Sequence, residues 1–304
     1  MRIVVAGGTG LLGREITRQF LAAGHEVAVL SRSPGAPHPG DSQAIWLRGD
    51  VTEPASLAGK LKGADVVVDA VQFPNSPIED PKKGRTFERF DLGGTKNLAD
   101  ACRAQGAGQF IGLSGVGAAE NARFHWQRFK WQEEQHVAAS GLAYMMFRPS
   151  WIYGPNDVSL NRFLGFARFL PFVPVIGDGK TRINPLFVGD LAAHVVAAVG
   201  NQAALGRVFE IGGPEVLTMD EIVRTALRVS GKRRFLLHQP ASFMKLIASL
   251  IQHAPGRPLT PGAIDFITMD GIADTTALVE TFGLPLTPLE QGLSTYLDDR
   301  AGNG

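Results

Sequence analysis

The sequence is poor in several residues that common chemistries need. It has one cysteine, Cys102, so no intramolecular disulfide can form. A lone thiol suits a reducing compartment and a buried, inert role. The seven histidines show no metal-ligand spacing, and neither CxxC nor HExxH occurs; no metal site is expected. Neither sign of charge is in excess, with 30 Lys+Arg against 29 Asp+Glu and a net charge of +1. Overall charge therefore gives no field that would draw nucleic acid or an anionic membrane. The short cluster Lys232-Arg233-Arg234 reads as a solvated turn. No apolar run is long enough to span a bilayer, and the start lacks a signal-peptide pattern, so the expected setting is the cytoplasm. Tyrosine is scarce: Tyr144, Tyr153 and Tyr296 are all there are, and none has a lysine four residues on.

What is present begins at the first residues. The 304-residue chain is 44% hydrophobic and 19% charged, enough for one large domain or two coupled ones. Met1-Arg-Ile-Val-Val-Ala-Gly-Gly-Thr-Gly-Leu-Leu-Gly13 reads as a strand, a glycine turn and the start of a helix that stops at Gly24. Gly7 allows a tight exit from the strand, Gly10 lets backbone approach a pyrophosphate, and Gly13 lets the helix lie close. The N–H groups along Thr9, Gly10, Leu11, Leu12 and Gly13, with the positive end of the helix dipole, would hold the phosphates. The context, strand before and helix after, is what gives the glycine pattern its weight.

The next strand, His25–Leu30, delivers Ser31 and Arg32. An NAD-preferring site places a carboxylate here for the ribose 2′-hydroxyl, but the next acid is Asp41. A guanidinium suits a 2′-phosphate, and Ser31 adds a hydroxyl, so NADP is expected and NAD is disfavoured. The alternative for Arg32 is an ordinary exposed loop arginine.

Further along, short apolar runs alternate with helical ones. The strands are expected at 2–6, 25–30, 44–47, 66–70, 109–113, 143–147 and 207–211, the helices near 11–23, 53–62, 84–105, 124–139 and 188–200. Alternation of this kind predicts an α/β, doubly wound parallel sheet of Rossmann type, with ligand at the carboxyl ends of the strands. Those ends carry Asp50-Val51, Ala70-Val71-Gln72, Ser114 and Pro149. Asp50 either accepts from adenine or simply closes a turn. The expected dinucleotide-binding domain runs over 1–153, and a smaller, mostly helical lobe for a substrate or partner over 154–304, with about 184–213 returning to the core. Capping boxes open helices at Thr218 and Thr287. A helix over 242–253 carries Phe243, Leu246, Ile247, Leu250 and Ile251 on one stripe.

Gly7-Gly-Thr-Gly-Leu-Leu-Gly13, Gly49-Asp-Val51, Leu113-Ser114, Lys130, Arg148-Pro-Ser-Trp-Ile-Tyr-Gly-Pro155 and Val188-Gly-Asp-Leu-Ala192 occur in an order that resembles extended and atypical short-chain dehydrogenases/reductases. Lys180-Thr-Arg-Ile-Asn-Pro185 and Phe209-Glu-Ile-Gly-Gly-Pro214 are similar to the NmrA-like proteins and to the accessory Rossmann subunit of respiratory complex I. The resemblance implies catalysis by a tyrosine four residues before a lysine. The phenol moves the proton, the lysine tunes it and bonds the nicotinamide ribose, and a serine orients the carbonyl. Lys130 and Ser114 match two of these positions; Trp126 stands where the tyrosine belongs, and indole is no comparable acid. His125, Arg128 or water are the candidate substitutes. A plain alternative for Lys130 is a surface lysine paired with Glu133 and Glu134.

The expectation is an NADP(H)-dependent oxidoreductase of an activated acceptor such as a quinone. The alternative is a non-catalytic NADP(H)-binding module for redox sensing, regulation or complex assembly. The phenylalanine-rich segment 162–176 would be a core helix, the wall of an apolar substrate pocket, or a partner or membrane surface.

Overall fold

A computed structural model describes residues 1–33, 42–73, 76–252 and 259–301, with side chains up to Leu297; Asp41 and residue 253 lie outside the described residues. The first half alternates strand and helix: β1 (Arg2–Ala6), α1 (Leu11–Ala22), β2 (Glu26–Ser31), β3 (Ile45–Arg48), β4 (Val66–Asp69), α2 (Gly93–Gln105), β5 (Gln109–Leu113), α3 (His125–Ala139) and β6 (Ala143–Pro149). The second half contains β7 (Ile152–Tyr153), α4 (Ser159–Phe169), β8 (Phe172–Ile176), β9 (Arg182–Ile183), β10 (Leu186–Phe187), α5 (Val188–Ala197) and β11 (Arg207–Ile211). Then come β12 (Leu217–Thr218), α6 (Met219–Val229), β13 (Phe235–Gln239), α7 (Ala241–Ile251), α8 (Pro261–Ile267), α9 (Thr276–Phe282) and α10 (Leu289–Ala301).

Seven strands form one parallel sheet in the order β11-β6-β5-β4-β1-β2-β3. These are the seven runs expected to be strands, and the doubly wound parallel fold is the one the alternation predicts. Both faces are covered, which is why the strands read as continuous apolar runs. Ile3 and Val5 pack on one side with Ile16, Phe20 and Val195, whereas Val4 and Ala6 pack on the other with Leu98, Phe110 and Val137. Chain order reverses between β1 and β4, so a crevice opens at their carboxyl ends. Cys102 is buried on the second of these faces.

Three local expectations are corrected. Only a 3₁₀ turn, Pro54–Leu57, forms within 53–62, because Gly59 and Gly63 both adopt positive φ and end any helix. The stretch 84–105 is helical only from residue 87, and its first turn, Glu88–Leu92, is π-helical and runs directly into α2. Thr287 does not cap α10 through Glu290. Its N–H and hydroxyl donate to Asp190 at 2.6 and 2.8 Å, and Glu290 pairs with Arg228. The Thr218 capping box is formed. The second half of the chain also carries three two-stranded ribbons, β7–β10, β9–β12 and β8–β13; runs of two to five residues carry no periodic signal.

Candidate functional site

Register brings the nucleotide half of the crevice together: Ala6 lies opposite both Leu30 and Asp69, so Gly7, Ser31 and Ala70 emerge side by side. Gly7 has φ +80°, and a Cβ there would sit 2.5 Å from the Ala70 carbonyl oxygen. At Gly13 a Cβ would collide with the Gly7 carbonyl, so this glycine seats α1 on the turn. Gly10 differs: it is exposed, and a Cβ would meet only the Gly7 oxygen at 3.4 Å. The protein's own packing does not require glycine at position 10, whereas close approach by a ligand would. α1 starts with no side-chain cap and no acid in its first turn, which leaves the early N–H groups and the dipole available to an anion. Thr9, Leu11 and Leu12 are half-buried around this turn. These residues fit a dinucleotide pyrophosphate.

Arg32 is exposed, with its guanidinium 5.2 Å from the centroid of the Phe90 ring. Ser31 donates its hydroxyl to the Ser33 carbonyl at 3.2 Å. Asp50 closes its turn through Oδ1, which accepts from the Thr52 N–H and hydroxyl at 2.9 and 2.8 Å. Val51 is buried against Gly94. Ala70, Val71 and Gln72 form the exit of β4, where the Val71 N–H donates to Asp69 Oδ1 at 3.1 Å. Pro149 ends β6, and its carbonyl accepts from Val116 at 3.3 Å.

The other half of the crevice is built from α3, the end of β5 and the π-helical turn. Ser114 is buried; its N–H donates to the Phe147 carbonyl at 2.7 Å, and its hydroxyl has no partner. Trp126 and Lys130 lie one turn apart on α3, both buried. The ring of Trp126 belongs to a cluster with Phe73, Phe87 and Phe90, joined by Phe266 and Met269 from the second lobe; its centroid is 5.0 Å from that of Phe266. Lys130 Nζ lies 2.9 Å from Asp91 Oδ1 and 3.0 Å from Glu133 Oε1, and donates to the Leu113 carbonyl at 3.2 Å. Its three N–H donors are thus all engaged.

Glu133 and Glu134 are not surface partners, because α3 is packed against the π-helical turn and β6. Glu134 forks onto Arg148 at 2.6 and 2.8 Å. Burial pushes the Asp91, Glu133 and Asp69 carboxyls above their usual range. Burial alone would lower the Lys130 ammonium, but Asp91 and Glu133 outweigh it and hold the lysine charged. Two buried carboxyls thus share one ammonium, while Asp69 accepts from the Thr95 hydroxyl and the Val71 N–H, and Asp91 Oδ2 and Glu133 Oε2 have no partner. The sequence points to neither Phe90 nor Asp91: a single π-helical turn carries no periodic signal, yet it places one under Arg32 and the other on Lys130.

The proposed substitutes for the phenol are tied elsewhere. His125 Nε2 lies 2.8 Å from Glu79. Arg128 donates to the Ala122 and Arg123 carbonyls at 2.8 and 3.1 Å. Tyr153 is buried in the second-lobe core and Tyr144 donates to the Gly206 carbonyl at 3.1 Å. No group of metal-binding side chains occurs among the described residues.

A sequence profile described as NAD(P)H-binding matches residues 7–162, just over half of the chain, and the chain belongs to this family. It is 29% identical over 226 residues to the mitochondrial NADH dehydrogenase [ubiquinone] 1 alpha subcomplex subunit 9 of Arabidopsis thaliana, covering 72% of this chain and 55% of that protein. It is 28% identical over 298 residues to a ceramide reductase of Caulobacter vibrioides, covering 96% and 88%. The Photosystem II assembly factor Ycf39 of Synechocystis is 25% identical over 97% of this chain and 90% of its own length. The UDP-glucose 4-epimerase of Thermotoga maritima superposes with a TM-score of 0.78 at 18% identity over 98% of both chains, a likeness of fold. The resemblance to extended short-chain dehydrogenases/reductases and to the complex I subunit is borne out.

Proposed function

We propose that the chain binds NADP(H) across the β1–α1 turn and holds it as a structural or redox-sensing ligand, acting through a partner or assembly. The observation that carries this reading is the pair Trp126 and Lys130. Where the superfamily's acid belongs, an indole is packed among phenylalanines from both lobes. The lysine that would tune that acid is spent on Asp91 and Glu133. Gly7, Thr9, Gly10, Leu11, Leu12 and Gly13 would hold the pyrophosphate, with Ser31 and Arg32 on the 2′-phosphate. Asp50 and Val51 would flank the adenine. Ala70, Val71, Gln72, Ser114 and Pro149 would line the ribose and nicotinamide end. The names of a complex subunit and an assembly factor among the relatives suit a module that works through partners, and the buried thiol of Cys102 suits the cytoplasm.

One observation favours a second reading, NADP(H)-dependent reduction of an activated acceptor such as a quinone. The Ser114 hydroxyl is buried without a partner at the end of β5, ready for a nicotinamide amide or a substrate oxygen. Lys130 would then trade its bond to the Leu113 carbonyl for a ribose hydroxyl. When bound, the cofactor supplies the hydride itself. Calorimetry with NADPH, run beside NADPH consumption over a panel of quinones and carbonyls, separates the readings. Binding without turnover is expected. Steady quinone reduction would move the assignment to the second reading, and steady reduction of simple ketones would overturn both.

A further inference from the structure

Arg32 is held by a ring rather than by an acid. Two other arginines near the crevice show the contrast. Arg89, on the π-helical turn, lies 3.2 Å from Glu53, and Arg148 forks onto Glu134. Arg32 has no carboxylate partner among the described residues. Its guanidinium carbon lies over the Phe90 ring instead, 5.2 Å from the centroid. The difference matters at an anion site. A carboxylate neutralises a guanidinium and takes up its N–H donors, so an incoming phosphate has to displace it. A ring attracts the cation through its quadrupole and leaves the charge and the N–H donors free for a ligand.

Phe90 is itself fixed. It is buried, its N–H donates to the Thr86 carbonyl at 3.1 Å, and its ring belongs to the cluster of Phe73, Phe87 and Trp126. Arg32 by contrast is a long, exposed side chain at the end of a strand. A free side chain of that kind loses rotamer freedom when it grips a phosphate, and the loss is subtracted from affinity. One that already rests over a fixed ring has given up part of that freedom before the ligand arrives.

We propose that Phe90 is a positioning residue for cofactor selection: its ring holds the Arg32 guanidinium with the N–H donors free, so that a 2′-phosphate meets a cation already in place. The proposal rests on the reading that Arg32 meets the 2′-phosphate. Phe90 then acts through Arg32, and it bears on the discrimination between NADPH and NADH. The pyrophosphate, which both nucleotides carry, is held by the β1–α1 turn on that reading and is indifferent to Phe90.

The test is calorimetry of the full chain with NADPH and with NADH, read as the ratio of the two affinities. Phe90→Leu and Phe90→Met both keep an apolar side chain in the cluster and lose the ring. Each should weaken NADPH about two- to fivefold, the range of an exposed cation–ring contact, and leave NADH unchanged, which also shows that the variant folds. Phe90→Tyr keeps the ring and should keep the parent's ratio. With Arg32→Ala already present, loss of the ring should change the ratio no further, since the two residues act as one unit. Equal losses of NADPH and NADH would place Phe90 against the adenine or in the fold alone and overturn the proposal. So would a parental ratio in both ring-free variants while Arg32→Ala lowers it, and the reading of Arg32 would then stand. An Arg32→Ala variant that leaves the ratio unchanged would overturn that reading and the proposal with it.

Discussion

The two halves of the crevice are built on opposite plans. On the β1–β2 side the chain presents bare backbone: an uncapped helix start, an exposed Gly10 and an exposed arginine. On the β5–α3 side the charged groups pair inside the protein, with Lys130 held by Asp91 and Glu133 and Trp126 walled in by phenylalanines, and the Ser114 hydroxyl is left as a buried polar atom without a partner. The first plan suits a site where protein atoms leave room for a ligand. The second suits a packed joint between the lobes, with Phe266 and Met269 reaching across from the second lobe. On the proposed reading one fold keeps nucleotide binding while the acid–base half becomes architecture; the fold by itself does not decide function.

If the halves are separable, damage to one should leave the other untouched. The largest effect is expected for Gly10→Val. A Cβ there meets only one protein atom, at the edge of contact, so thermal stability should change little while NADPH binding is lost by calorimetry. Normal binding would show that the nucleotide does not cross this turn.

Next is Lys130→Met, which leaves Asp91 and Glu133 buried without their counter-ion. Breaking a buried pair this way costs ~3–5 kcal/mol, and denaturant unfolding should show it. Burial already holds both carboxyls above their usual range, and removing the ammonium raises them further. The folded chain then keeps protons that the unfolded chain releases, so stability falls as pH rises above the ordinary carboxylate range. The deficit should be larger at pH 8 than at pH 5. NADPH affinity, measured where the variant is folded, should stay close to the parent's. Intact stability with a large loss of NADPH affinity would return Lys130 to the ribose.

The smallest effect is the most selective. Arg32→Ala removes one charge-assisted phosphate contact, about 1.5–3 kcal/mol, and should weaken NADPH roughly 10- to 100-fold while sparing NADH. Equal losses for both would take Arg32 off the 2′-phosphate and leave its contact with Phe90 as its role.

The contrast between the halves also marks what could be read in the sequence. The seven sheet strands were legible because both their faces are buried, and the glycine turn because its constraints are local. Glu133 and Glu134 were not. Helical spacing identifies which residues share a face, as with Lys130 and Glu133, but not what covers that face; the π-helical turn and β6 do so here. On α7 the same spacing groups Phe243, Leu246 and Leu250 on one stripe, and the packed face is the opposite one, with Ala248.

The central claim is that the acid–base half is a packed joint, and Trp126→Tyr tests it most directly. The substitution restores a phenol one helical turn before Lys130. A working general acid contributes about 10²–10⁴-fold. NADPH consumption by parent and variant should be compared on simple ketones, with NADPH affinity measured on the same preparations. The phenol would enter the aromatic cluster beside a lysine already bound to two carboxyls, so the account predicts preserved NADPH binding and no gain in ketone reduction. A gain above about a hundredfold would contradict it and show a reductase site lacking only its acid.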